Sequence, residues 1–156
     1  MRLFFSGLFI LFLIIADQAV KSAIMRLMSL GEYIEIFPFF ALYHVQNSGI
    51  AFSMLASFSD WGLIGLTIMV IFFIFLLWWK IRADAFLSQC GYLLVLGGAF
   101  GNLIDRLRFH YVTDYILIFY KDWSFAVFNL ADSFITIGAV LIIVRELLGN
   151  RKGLGA

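Results

Sequence analysis

Four runs of about twenty mostly apolar residues leave this chain few ways to fold. The first starts at Leu3 and ends near Ile24, and the others cover about 61–79, 85–104 and 125–144. At a helical rise of about 1.5 Å per residue, each is long enough to cross a hydrocarbon core about 30 Å thick. Trp61 and Trp79 stand at the two ends of the second run, as an aromatic belt would place them. Composition agrees: 63% of residues are hydrophobic and 13% charged, where a soluble domain carries roughly a quarter charged residues. The expected fold class is a mainly α membrane protein, a four-transmembrane-helix bundle forming one integral membrane domain over residues 1–156.

The remaining segments are short. Gly31 to Phe40 and Phe109 to Phe128 are rich in Tyr, Phe, Val and Ile and read as strands that pair into a small β-sheet on the outer membrane face. Residues 49–59 read as a short interfacial helix. Four spans put both termini on one side. Taking that side as cytoplasmic leaves Arg2, Lys80, Arg82, Arg145, Arg151 and Lys152 inside against Lys21, Arg26, Arg106, Arg108 and Lys121 outside, a slight positive-inside excess. Segments 25–60 and 105–124 are then extracytoplasmic. Ile14-Ile15-Ala16 lacks a small-x-small cleavage pattern, so the first run reads as a retained helix. A net charge of +1 gives no reason to expect nucleic-acid binding. Cys90 is the one cysteine, which excludes an intrachain disulfide and a Cys/His zinc cluster. No metal or cofactor is expected.

Against this background the polar residues stand out. Asp132 lies inside the fourth apolar run and Asp114 just upstream of it. A carboxylate at bilayer depth costs at least a few kcal/mol unless it is paired, hydrated or neutralised. Helical rise puts Asp17 about 21 Å and Asp132 about 20 Å from the inner edge, with Asn102 at about 26 Å and Asp105 at about 30 Å. All four therefore fall in the outer third of the core. Asp17 and Lys21 are spaced i,i+4, while Asn102 with Asp105 and Asn129 with Asp132 are i,i+3, so each pair shares a helix face. The expectation is a polar pocket inside the bundle, open toward the outer face. Gly97 and Gly101 form a small-xxx-small pair suited to close helix packing. An alternative use of intramembrane acids is a small proton- or cation-coupled transporter; the inverted-repeat symmetry that would favour it is absent from the sequence.

Five motifs then occur in order along nearly the whole chain: Asp17-Gln18-Ala19-Val20-Lys21, Asn47-Ser48-Gly49-Ile50-Ala51-Phe52, Gly97 to Arg106, Val112-Thr113-Asp114, and Phe128-Asn129-Leu130-Ala131-Asp132-Ser133. In these the chain resembles the lipoprotein signal peptidases (signal peptidase II, the aspartic endopeptidases of family A8). The resemblance implies a multi-pass enzyme of the bacterial inner membrane with both termini cytoplasmic. It implies removal of signal peptides from prolipoproteins by cleavage before a diacylglyceryl-modified cysteine. Asp114 and Asp132 then match the catalytic dyad. Asp17, Lys21, Asn47, Gly49, Asn102, Asp105, Arg106 and Asn129 match positions that bind substrate or brace the site. The partners implied are prolipoprotein substrates and membrane lipid, with the enzyme a monomer, and the fold adds a lid-like helix to the bundle and sheet.

The chain departs from the family pattern in places. His110 stands where glycine is usual, and Thr113 and Tyr115 where Val and Phe are common, which bears on the turn before Asp114. Several residues also have plainer readings. Asp105 and Arg106 read equally as a structural ion pair, and Asp17 with Lys21 reads as structural. Asn47 reads as a holder of substrate backbone. His44 and His110 read as surface or sheet residues, and Asp122 as part of a solvated turn.

Overall fold

The computed structural model describes residues 2–49, 60–81 and 86–150. Along the chain lie α1 (Arg2–Leu27), β1 (Tyr33–Phe37), β2 (Phe40–Asn47), α2 (Asp60–Lys80), α3 (Phe86–Phe109), β3 (Val112–Tyr120), β4 (Trp123–Ser124) and α4 (Leu130–Asn150). Three of these helices, α1, α2 and α3, are long and apolar enough to cross a membrane. The fourth, α4, is similar in length but carries Asp132, Arg145 and Glu146.

Helix α3 is the spine, packing against α1, α2 and α4. Between membrane helices the hydrophobic effect offers little, so contact depends on close backbone approach. Glycines on α3 allow it. A Cβ at Gly97 would lie 2.6 Å from Leu13 Cδ1 of α1, and one at Gly98 would collide with the Ala131 carbonyl of α4. The second face of α3 buries Leu96, Ala99 and Leu103 against Ile64 and Ile71 of α2. Outward, α1 and α2 present Phe4, Phe5, Phe12, Phe72 and Phe73, the apolar surface that lipid requires.

The sheet is antiparallel with strand order β1-β2-β3-β4. Its inner face rests on the end of α1, where Ile24, Met28 and Tyr115 form a second small core. An irregularity between Leu42 and Val45 interrupts the β2–β3 ladder immediately before Val45 pairs with Asp114. Such bulges re-aim side chains, and this one sits beside a residue of interest.

Several sequence expectations need correction. The fourth run was expected to be helical from 125, yet α4 begins at Leu130. Asn129 Oδ1 accepts from Asp132 N at 3.0 Å while Asp132 Oδ2 accepts from Asn129 N at 3.2 Å. This reciprocal capping box fixes the helix start and leaves Phe125 to Phe128 as a connection. The third run was expected to end at 104, yet α3 continues to Phe109. Asp105 and Arg106 thus lie within this helix, on which Asp105 was expected to share a face with Asn102. The two strand segments become four strands, because the second holds both β3 and β4 and the expected pairing passed over β2. That strand lies between two neighbours and is partly buried on both faces, so it shows no clean polar alternation. The predicted interfacial helix lies outside the described residues from position 50 onward.

His110 ends α3 with φ of 64° and donates its N–H to Arg106 O at 3.1 Å. This is the left-handed position after a helix that favours glycine. The departure at His110 therefore preserves the turn, with a β-carbon where none is needed.

Candidate active site

The polar pairs converge on a single buried cation. Lys21 of α1 is 1% exposed, and its Nζ lies 2.9 Å from Asp17 Oδ2 and 3.0 Å from Asp105 Oδ2 of α3. It also donates to Asn102 Oδ1 at 2.8 Å. The i,i+4 spacing on α1 thus forms the expected pair. The proposed pairing of Asp105 with Arg106 does not form, since Lys21 is the cation Asp105 faces. Arg106 instead donates to the Gly49 carbonyl at 3.1 Å.

Each of these two carboxylates also holds a backbone amide in another element. Asp17 Oδ1 accepts from Ala131 N at 3.0 Å, and Asp105 Oδ2 from Thr113 N at 3.2 Å. Ala131 immediately precedes Asp132, and Thr113 immediately precedes Asp114. Gly101 makes room for the arrangement, because a Cβ there would lie 2.6 Å from Asp17 Oδ2.

From this hub the asparagines reach the other two carboxylates. Asn102 Nδ2 donates to Asp132 Oδ1 at 2.8 Å. Asn129 Nδ2 donates to Asp114 Oδ1 at 2.6 Å and to Asn102 Oδ1 at 3.2 Å. Asn47 Nδ2 donates to Asp114 Oδ2 at 2.9 Å, and its Oδ1 accepts from Gly49 N at 3.0 Å. Asn47 therefore braces Asp114 and the chain after β2, beyond the substrate role expected of it. The ten residues singled out from the sequence all belong to this assembly: Asp17, Lys21, Asn47, Gly49, Asn102, Asp105, Arg106, Asp114, Asn129 and Asp132.

Helix α4 is tied down at its first turn. Leu130 N donates to Tyr115 Oη at 3.2 Å, Ala131 N to Asp17 and Asp132 N to Asn129. Amides that a helix start leaves unpaired are thus consumed by α1, β3 and the cap. Tyr115, a departure from the family pattern, contributes through its hydroxyl. His44 is sheet-bound as expected but buried, with Nδ1 3.1 Å from Met28 O. Asp122 lies in the exposed β3–β4 turn, as expected.

Asp114 and Asp132 line one cavity of about 820 Å³, together with Asn47, Asn102 and Arg106. Its remaining walls are mostly apolar, from Leu66 and Val70 of α2 to Ile135 and Ile137 of α4. Asp114 is pushed from 3.8 up to about 6, chiefly by burial and next by the charge of Asp132, against the opposing hydrogen bonds from Asn47 and Asn129. Asp132 differs in setting: it sits in the first turn of α4 and accepts from Asn129 N and Asn102 Nδ2. Two carboxylates in unequal surroundings suit acid–base work. Among the described residues no His/Cys/Asp/Glu group is arranged to hold a metal ion.

A family model described as Signal peptidase (SPase) II matches residues 9–148. The chain belongs to the signal peptidase II family. The lipoprotein signal peptidase of Bartonella bacilliformis is 56% identical over 146 residues, covering 92% of this chain and 88% of that protein. That of Brucella ovis is 50% identical over 148 residues, covering 94% and 92%. A solved bacterial membrane enzyme matches with a TM-score of 0.81 at 31% identity, covering 93% of this chain and 88% of that one. A signal peptidase II is a hydrolase, and the family and the apolar helices together make this chain an integral bacterial membrane protein.

Sequence reasoning passed over two residues of this signal peptidase II site. Gln18 was quoted within a motif but given no role; its position next to Asp17 was the available signal. Tyr115 was noted as a departure, with nothing in the sequence to show that its hydroxyl meets α4.

Two expectations follow from the electrostatics. Lys21→Met removes the cation between two buried carboxylates and should cost about 3–5 kcal/mol, read as a lower unfolding midpoint of the detergent-purified protein; an unchanged midpoint would contradict the hub. The second concerns pH. With its folded-state pKa raised, Asp114 holds its proton longer in the folded protein than in the unfolded one. Its contribution to stability therefore falls as pH rises from about 4 to about 6. Asp114→Asn lacks that decline, so its stability relative to wild type should climb across this window by up to about 3 kcal/mol. Parallel stability–pH curves for the two proteins would refute it.

Proposed function

We propose that this signal peptidase II cleaves prolipoproteins just before a diacylglyceryl-modified cysteine, using Asp114 and Asp132 to activate water. The observation that carries the reading is the position of Asn129. Its side chain donates to Asp114 and its backbone amide to Asp132, which ties the two carboxylates to one residue at the edge of one cavity. Amide hydrolysis needs an activated water and a proton for the leaving nitrogen, and two carboxylates sharing one proton supply both. Asp132 takes a proton from water. Asp114, favoured as the neutral acid by burial, hydrogen-bonds the scissile carbonyl oxygen and gives it its proton as the water adds. The water oxygen adds to that carbonyl carbon to give a tetrahedral diol. Collapse breaks the C–N bond as Asp132 passes its proton to the departing amine and Asp114 takes one back from a diol hydroxyl, and no covalent enzyme intermediate forms.

In this reading α4 is a fourth span, the sheet and the start of α4 lie on the outer side, and both chain termini are cytoplasmic. The apolar walls of the cavity support a lipid-bearing substrate, because burying acyl chains there leaves no polar group unpaired. Asp17, Lys21, Asn102, Asp105 and Asn129 act as braces, and Arg106, bonded to the Gly49 carbonyl, stands at the cavity where substrate backbone would pass. The chain works as a monomer, with no cofactor.

The test offers purified wild type, Asp114→Asn and Asp132→Asn a diacylated prolipoprotein and the same protein without lipid. Wild type should cut only the lipidated form, and each variant should lose at least a hundredfold in rate. Wild-type rates from either variant would remove the pair from the reaction.

A further inference from the structure

We infer that Gln18 is a positioning residue for the proposed pair, setting the spacing of the two carboxylates that hold Asp114 and Asp132 in place. The inference rests on the reading of Asp114 and Asp132 given above. Gln18 lies on α1 between Asp17 and Lys21, half-buried at the contact with α3. Its Nε2 donates to Asp105 Oδ1 at 2.8 Å and reaches Gly101 O at 3.2 Å and Asp17 Oδ2 at 3.3 Å. No other uncharged side chain hydrogen-bonds both carboxylates among the described residues.

The charge balance explains why such a group is needed. The cluster sets one cation, Lys21, against two carboxylates. The oxygens are divided among the available donors. Asp17 Oδ1 holds Ala131 N and Asp17 Oδ2 faces Lys21. Asp105 Oδ2 takes both Lys21 and Thr113 N. Asp105 Oδ1 is left to Gln18. Removing that donor leaves a buried carboxylate oxygen without its hydrogen bond, and the side chain gains by turning toward other donors. The turn pulls on Thr113 N, the amide directly before Asp114. Reorientation by about an ångström at a reacting group is enough to cost up to a hundredfold in rate. Gln18 touches neither the cavity nor the reacting atoms, so it acts through Asp105 and Asp17.

Two substitutions test this in the purified full-length chain with a diacylated prolipoprotein as substrate. Gln18→Leu keeps the bulk and removes the donor. It should lower kcat roughly 10- to 100-fold while leaving KM within about twofold, since the cavity walls are untouched. Gln18→Glu introduces a carboxyl that donates to Asp105 as the amide does when protonated, and that adds a third negative charge beside Asp17 and Asp105 when ionised. Its kcat should approach wild type in acid and fall much more steeply than wild type as pH rises. Tryptophan fluorescence at each pH reports the folded fraction. The inference is overturned if Gln18→Leu retains wild-type kcat, if Gln18→Glu follows the wild-type pH profile, or if lost rate simply follows lost folded protein. A wild-type chain that does not cut the lipidated substrate would instead overturn the proposed function, so the two failures are distinct.

Discussion

A lysine 1% exposed between two buried carboxylates is the constraint on which the rest of this molecule hangs. Burying three charges is costly, and apolar replacements of such clusters are often as stable or more so. The cluster is better understood by what it holds. Lys21 joins α1 to α3. Through Asp17 it grips the start of α4, and through Asp105 the start of β3. Without it the helices would still pack through the glycines of α3, but the strand and the fourth helix would lose their shared tie to α1. One end of the polar network is thus an anchor, and at the other Asp114 and Asp132 reach the cavity.

Asp114 and Asp132 share Asn129 as a donor but not their surroundings. Asp114 enters from a strand, is enclosed by asparagine side chains and is raised to about 6 by burial and by its neighbour's charge. Asp132 enters in the first turn of a helix, with a backbone amide and Asn102 as donors. The proposed hydrolysis needs one carboxyl that gives a proton and one that takes one, and two carboxylates sharing a proton supply both. The cavity repeats the contrast on a larger scale, with a polar end at the carboxylates and apolar walls along α2 and α4. A substrate that is peptide at one end and lipid at the other would meet a matching surface at each.

Much of this was legible in the sequence because membrane helices obey simple arithmetic. Asp17 and Lys21 at i,i+4, and the depths of Asn102, Asp105 and Asp132, place polar groups on facing stripes, and the structure brings them within hydrogen-bond distance. What escaped was set by contacts between elements. The start of α4 depends on a capping box, and an apolar stretch from Phe125 conceals it. Strand β2 lacks alternation because it is covered on both sides. The partner of Asp105 is Lys21, distant in sequence, and the adjacent Arg106 was the misleading choice. Asn47 spends its side chain on Asp114 and Gly49, a double bond-making that spacing alone does not reveal.

The central claim is that Asp114 and Asp132 work as one catalytic unit. Its most direct measurement is a double-mutant cycle on the rate of cleavage of a diacylated prolipoprotein by wild type, Asp114→Asn, Asp132→Asn and the double variant. Groups that act as a unit are strongly non-additive. The account predicts that the double variant retains the same residual rate as either single variant. Losses that multiply would mean that the two aspartates act independently, and would contradict it.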